Sequence, residues 1–277
     1  MSNGGDAALA AVPLPMRGRP RGARWSKRVF YPLAGMLVLF GLWWLGGYWL
    51  QHDRSISSFG GFAPAPTLRT LWHLIMTGQL WGIAGPSLYR IAMGLFWAIV
   101  IGVPIGISVG LKPPIREMTH VPFQFLRMIS PLSWMPVAVL VFPSWNGAIV
   151  FLITMAAVWP VLFSTAQGVR RIDPVWFKVA RNLGGSGFQL LRRIVIPAIA
   201  QDIFSGIRLA LGVAWIVLVP AEYLGVTSGL GYAINDARDE FDYSTVTAIV
   251  LVIGAIGFCL DAICVAMIRQ FSWHRED

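Results

Sequence analysis

Charge is what this sequence has least of. Asp, Glu, Lys and Arg make up 13% of its 277 residues, against 56% hydrophobic. A soluble domain carries about a quarter charged residues. With a mean hydropathy of +0.64, the composition excludes an ordinary water-soluble fold and predicts an all-α, polytopic membrane protein. Cysteine is nearly absent: Cys259 and Cys264 lie in one apolar run. Five residues apart on a helix, they point in different directions, which argues against a disulfide. The four histidines, His52, His73, His120 and His274, are scattered. They form neither a metal-ligand cluster nor a catalytic triad spacing, so a membrane enzyme has no candidate centre. The phosphate-binding GxxxxGK[ST] pattern is missing too, so nucleotide hydrolysis by that route is not a property of this chain.

What is present is long apolar runs. A membrane span needs about 20 apolar residues, and six stretches qualify: 29–50, 86–111, 121–142, 147–168, 198–222 and 244–268. Six spans put both ends on one side. The net charge of +9 tests that arrangement. If the ends are cytoplasmic, sixteen Lys and Arg fall on the inside and three, Arg54, Arg69 and Arg238, on the outside. The remaining three, Arg90, Arg127 and Arg208, fall within spans. This is the positive-inside bias of a membrane protein, not a nucleic-acid-binding patch. Residues 1–28, rich in Gly, Pro, Ala and Arg, read as a disordered basic leader followed by a retained first helix; residues 29–277 form the transmembrane domain.

Smaller features refine the picture. In "PTLRTLWHLIMTGQLW", Leu68, Leu71, Trp72, Ile75 and Met76 form a helical stripe too short to span, which predicts a helix along the outer surface. Gly94, Ala98, Gly102, Gly106 and Gly110 recur every four residues along the second span, a face that admits another helix closely.

The most structured polar stretch is "DPVWFKVARNLGGSGFQLLRRIVIP", 173–197. Asp173 and Pro174 form a helix start, and Gly184 is a left-handed terminator. Ser186 and Gln189 have capping-box spacing, and Pro197 marks the passage into the fifth span. The segment therefore reads as two short helices joined by a glycine elbow. Val175, Trp176, Val179 and Leu183 share one face, Phe177 lies beside it, and Lys178 and Arg181 point elsewhere. Two readings stay open: docking into the groove of a partner, or rest on the bilayer with the basic residues at headgroups.

Arg208 sits near the middle of the fifth span, where an unpaired cation costs at least a few kcal/mol. Glu222, fourteen residues on, faces nearly the same way toward the outer end, and Arg127 lies near the cytoplasmic end of the third span. Either these residues form a polar track that attracts a small anion, or Arg208 pairs with Asp261 of the sixth span and orders the bundle. The outer segment "SGLGYAINDARDEFDY" is a gate, a contact for a delivering protein, or a capped turn.

The stretch 173–197 resembles the coupling loop of permeases in ATP-binding-cassette importers. That family's pattern is Glu-Ala-Ala, three residues, Gly, nine residues, then Ile-x-Leu-Pro. Ala180, Gly184, Ile194 and Pro197 match it without a gap; Lys178 replaces the Glu and Val179 the first Ala. "LRMISPLSWMPVAVLVF", "SGIRLALGVAWIVLVPAEYLG" and "SGLGYAINDARD" resemble the nitrate, sulfonate, taurine and bicarbonate branch. Within that branch, "VAR" and "ISPLSWMP" resemble the nitrate, bicarbonate and cyanate members more than the sulfonate ones. The resemblance implies a type I importer permease in a bacterial inner membrane. It is not itself an enzyme and holds no cofactor; ATP and Mg belong to a separate ATPase subunit. It implies a permease homodimer, two cytoplasmic ATPase chains, and an extracytoplasmic solute-binding protein. The ATPase-coupling residues it implies are Asp173, Trp176, Phe177, Lys178, Ala180, Arg181, Gly184, Ile194 and Pro197. An ion-coupled secondary transporter is the alternative of another class; it usually has internal repeats, and none is evident here.

Overall fold

A computed structural model describes residues 22–52 and 57–272. Every regular element among them is helical, in the order α1 Gly22–His52, α2 Pro64–Met76, α3 Gln79–Leu111, α4 Pro113–Met128, α5 Met135–Val141 and α6 Trp145–Arg170. Then come α7 Pro174–Asn182, α8 Gly187–Leu190, α9 Ile196–Gly225, α10 Leu230–Asp239 and α11 Tyr243–Ser272. The backbone of α1 already starts at Gly22, inside the stretch expected to be disordered; residues 1–21 lie outside the described residues.

Five helices are long and apolar enough to cross a membrane, at Phe30–His52, Gln79–Leu111, Trp145–Arg170, Gly187–Gly225 and Tyr243–Gln270. A sixth crossing is reached only if one bent helix pair counts as a single span. The single span expected over 121–142 is instead α4 followed, after a 3-10 turn at Pro131–Trp134, by α5, with a bend of 87° between the pieces. The cause is local. Pro131 disfavours the helical conformation for the residue before it, and both Ile129 (φ −74, ψ 125) and Ser130 (φ −57, ψ 129) are extended. The same rule ends α3, where Lys112 before Pro113 is extended at φ −115, ψ 105.

Helix α6 is the axis of the bundle. Ala148, Ile149, Leu152, Ile153, Ala157 and Val161 along it are buried completely. The expected small-residue face of α3 packs on it. A methyl group built on Gly106 would meet the Leu162 carbonyl oxygen at 2.6 Å, and one on Gly102 the Val158 carbonyl oxygen at 3.1 Å. On the other side of α6, Gly206 of α9 admits Ser164 and the Pro160 carbonyl in the same way, at 2.8 and 3.1 Å. This α3–α6–α9 core places the polar groups described below. Helix α2 packs on α11, where Thr70 Oγ1 and Ser244 Oγ are 3.0 Å apart. It leaves Leu68, Trp72, Ile75 and Met76 exposed, while Leu71 turns toward Leu230 and Ile249.

Candidate functional site

The stretch between α6 and α9 folds as its caps require. The Val175 N–H donates to Asp173 Oδ1 at 2.8 Å. Helix α7 then runs nine residues and ends at Gly184, whose φ of +77° a residue with a side chain resists. Beyond it, the Gln189 N–H donates to Ser186 Oγ at 3.3 Å and the Ser186 N–H donates to Gln189 Oε1 at 3.0 Å, a complete capping box. Helix α8 does not stop at Pro197. It continues through a single π turn, Leu191–Val195, into α9. Pro197 comes just after this π turn, so it lies inside one continuous helix, Gly187–Gly225, and does not open a new one.

The two aromatics of α7 part company. Trp176 is 64% exposed. Phe177 turns inward and packs on Ile107, Val169, Val195 and Ile199 of the permease's own core. Val175, Val179 and Leu183 share the exposure of Trp176, as do Lys178 and Arg181. Beside α7 lies a cavity of about 1170 Å³, walled by Asp173, Trp176, Ile194, Pro197, Gln201 and Gln270. Four of the sequence-predicted coupling residues thus converge on one concave surface. Ala180 and Gly184 lie beyond it, at the elbow, where the Gly185 N–H donates to the Ala180 carbonyl at 2.9 Å. The Arg171 guanidinium holds Asp202 at 3.2 Å on the rim.

The charges within the spans occupy three separate places. Arg208 Nε and Nη2 donate to Asp261 Oδ1 and Oδ2 at 2.6 and 2.9 Å, a two-pronged pair between α9 and α11. Its side chains are 46% and 47% exposed. Arg127 ends α4, with its guanidinium 5.2 Å over the Phe163 ring.

Glu222 does not lie on a polar track with Arg208. It is entirely buried, and Arg90 Nη1 donates to its Oε1 at 2.6 Å. The Ser87 hydroxyl lies 2.8 Å from both carboxylate oxygens, and the Gly231 N–H donates to Oε2 at 3.0 Å. Arg90 also donates to Asn146 Oδ1 at 2.7 and 2.9 Å, to the Ser228 carbonyl at 2.8 Å and to Ser228 Oγ at 2.9 Å. One arginine thereby ties α3, α6, α9 and the loop before α10 together. Gly229, at φ +111°, lets that loop turn over the Glu222 carboxylate with no room for a side chain. Arg90 carries this network and went unassigned in the sequence. Depth was the signal that could have found it. Arg90 lies five residues into the second span and Glu222 at the end of the fifth, on the same side of the membrane.

The profile of the binding-protein-dependent transport system inner membrane components matches residues 98–272. The chain is 35% identical over 259 residues to the bicarbonate transport system permease protein CmpB of Synechococcus elongatus, covering 88% of this chain and 91% of that one. It is 31% identical over 261 residues to the taurine transport system permease protein TauC of Escherichia coli K12, covering 91% and 94%. It is 31% identical over 210 residues to the nitrate import permease protein NrtB of Leptolyngbya laminosa, covering 72% and 75%. The family profile covers more than half of the chain and the relatives align with it along most of their own length: the chain belongs to the family of binding-protein-dependent transport system inner membrane components.

Proposed function

We propose that this permease imports a small anion, with the nitrate, bicarbonate and cyanate class favoured, and that a separate ATPase subunit drives it through α7. The single observation that carries the reading is α7 itself. It is a helix capped at both ends and held to the bundle by Phe177, with Trp176 outward beside a 1170 Å³ cavity. Resting on lipid needs no such elbow, whereas transmitting a push needs a stiff one. Asp173, Lys178, Arg181, Ile194 and Pro197 frame the surface that meets the ATPase. The excess of Lys and Arg at the α7 end supports a cytoplasmic location for that end by the positive-inside rule, and with six crossings for both termini as well.

The Arg208–Asp261 pair supports a second copy of the permease. It stands half-exposed near the middle of α9 and α11, where charges facing hydrocarbon are costly. A second copy, enclosing a water-filled path, covers this face. Arg208 there presents a positive charge to a passing anion, and Asp261 holds it in place. An extracytoplasmic binding protein delivers the solute at the opposite end, next to α10.

The favoured solute class rests on "ISPLSWMP" and on the bicarbonate and nitrate permeases among the relatives. The taurine permease, alike over 91% of this chain, keeps the sulfonate class as the second reading. Reconstitution in liposomes with the cognate ATPase and binding protein tests both. ATP-dependent accumulation of nitrate or bicarbonate is expected. Accumulation of taurine or an alkanesulfonate alone would replace the first reading with the second. Uptake driven by an ion gradient without the ATPase would overturn both.

A further inference from the structure

The bent α4–α5 pair leaves α4 with its polarity inverted. Met118, Val121, Phe125 and Met128, at spacings of three, four and three, form an apolar stripe that is 68–78% exposed. The opposite row, Arg116, His120, Phe123 and Arg127, turns toward α6. There it meets Phe163, Gln167 and Arg170 across a cleft of about 560 Å³. The cleft has an aromatic floor: Phe123 stacks edge-on against Trp159 with ring centres 5.6 Å apart, and Phe163 carries the Arg127 guanidinium. No carboxylate lines it. Arg171, at its edge, is already held by Asp202. Among the described residues, Arg116, Arg127 and Arg170 take part in no ion pair. Three guanidiniums drawn from two helices into one concave surface repel each other unless an anion joins them, and forked N–H donors suit phosphate oxygens.

We propose that this cleft binds the headgroup of one anionic phospholipid, whose acyl chains lie along the apolar stripe of α4. Charge complementarity selects an anion, and the stripe selects a lipid over a free oxyanion. A free ion has no use for four exposed apolar side chains beside its site. Basic pockets between membrane helices at the cytoplasmic side hold anionic headgroups for the same reason. The site lies at the α7 end of the bundle, since Arg171 borders both this cleft and the α7 cavity. A lipid seated there braces the end of α6 from which α7 departs. The assignment does not depend on which solute is carried.

The test is native mass spectrometry of the full-length permease in detergent, titrated with phosphatidylglycerol or with phosphatidylcholine of the same acyl chains. One phosphatidylglycerol per chain is expected to be retained, and phosphatidylcholine lost. Arg116→Gln, Arg127→Gln and Arg170→Gln each weaken retention by about fivefold, the effect of about one surface cation on an anionic lipid. Arg127→Lys, which keeps the charge, retains the lipid and guards against misfolding as the explanation. Arg192→Gln, a cation of the same end but outside the cleft, leaves retention unchanged. Equal retention of phosphatidylcholine, or wild-type retention of phosphatidylglycerol by the glutamine variants, overturns the proposal. Displacement of the lipid by millimolar inorganic phosphate overturns it in favour of a free oxyanion.

Discussion

Among the described residues, the Arg90–Glu222 and Arg208–Asp261 ion pairs both join two long apolar helices, and they are opposites. Arg90–Glu222 is 1% and 0% exposed and sits within a closed set of hydrogen bonds from Ser87, Asn146, Ser228 and Gly231. Arg208–Asp261 is nearly half exposed, and its carboxylate has only the arginine as partner among the described bonds. The first is a finished piece of structure that needs nothing from outside the chain. The second is left open on one side, which is why we propose that a second copy covers it. The same residue types in the same apolar surroundings therefore serve different ends, and the difference lies in how many neighbouring groups close around them.

The largest effect that can break this comparison lies at the buried pair. Removing one partner strands a buried charge and costs about 3–5 kcal/mol. Arg90→Ala and Glu222→Ala are each expected to lower the thermal midpoint of the purified permease sharply. Replacing both residues with leucine should recover much of the loss. A midpoint unmoved by either single change would show that the network does not hold the fold.

The exposed pair should respond differently. Arg208→Gln is expected to shift cross-linked permease from dimer toward monomer and to lower uptake, with a smaller change in midpoint than Arg90→Ala. If Asp261 only positions Arg208, Asp261→Asn in the Arg208→Gln background restores assembly but not uptake. A double-mutant cycle reading both quantities separates the two roles. Restored uptake in the double variant would make the pair purely structural.

The smallest effect is at the start of α11, outside the core. The Thr245 N–H donates to Asp242 Oδ1 at 3.1 Å, and the Ser244 and Thr245 hydroxyls donate to the same carboxylate at 2.7 and 2.6 Å. Partial burial pushes this carboxyl up, and the hydrogen bonds from Thr245 and Ser244 together outweigh it, so its pKa lies below the usual carboxylate range. A group depressed in the folded state contributes stability at pH above the ordinary carboxylate pKa, and that contribution is lost as pH falls through the depressed value. Asp242→Ala is expected to cost about 1 kcal/mol at neutral pH and nothing at the acid end. An equal cost at both ends would remove the titration from the account.

The sequence made the caps legible because they are local. Asp173, Gly184, Ser186 and Gln189 act within four residues of themselves, and each does what its type requires. The α3–α6 packing was legible for a related reason, since a four-residue repeat of small side chains is a property of one helix. Most of what escaped depends on a second element, although the Arg208–Asp261 pair, one of two readings open in the sequence, is formed. "ISP" at 129–131 announces a break, but an apolar run of the right length reads as one span until the 87° bend is seen. Phe177 and Trp176 are adjacent and equally apolar; only the position of Val169 and Val195 makes one inward and the other free. Glu222 took its partner from α3, 132 residues away. The helical periodicity that aligned it with Arg208 says nothing about that.

The central claim is that α7 belongs to two bodies at once, fixed to the permease by Phe177 and to the ATPase by Trp176. Co-purification of the ATPase with single alanine variants, read alongside the permease's thermal midpoint, tests it most directly. Trp176→Ala should leave the midpoint unchanged and weaken ATPase binding by roughly 2 kcal/mol or more, about thirtyfold. Phe177→Ala should lower the midpoint itself. ATPase retained in full by Trp176→Ala, with the permease still folded, would contradict the claim and return α7 to the membrane surface.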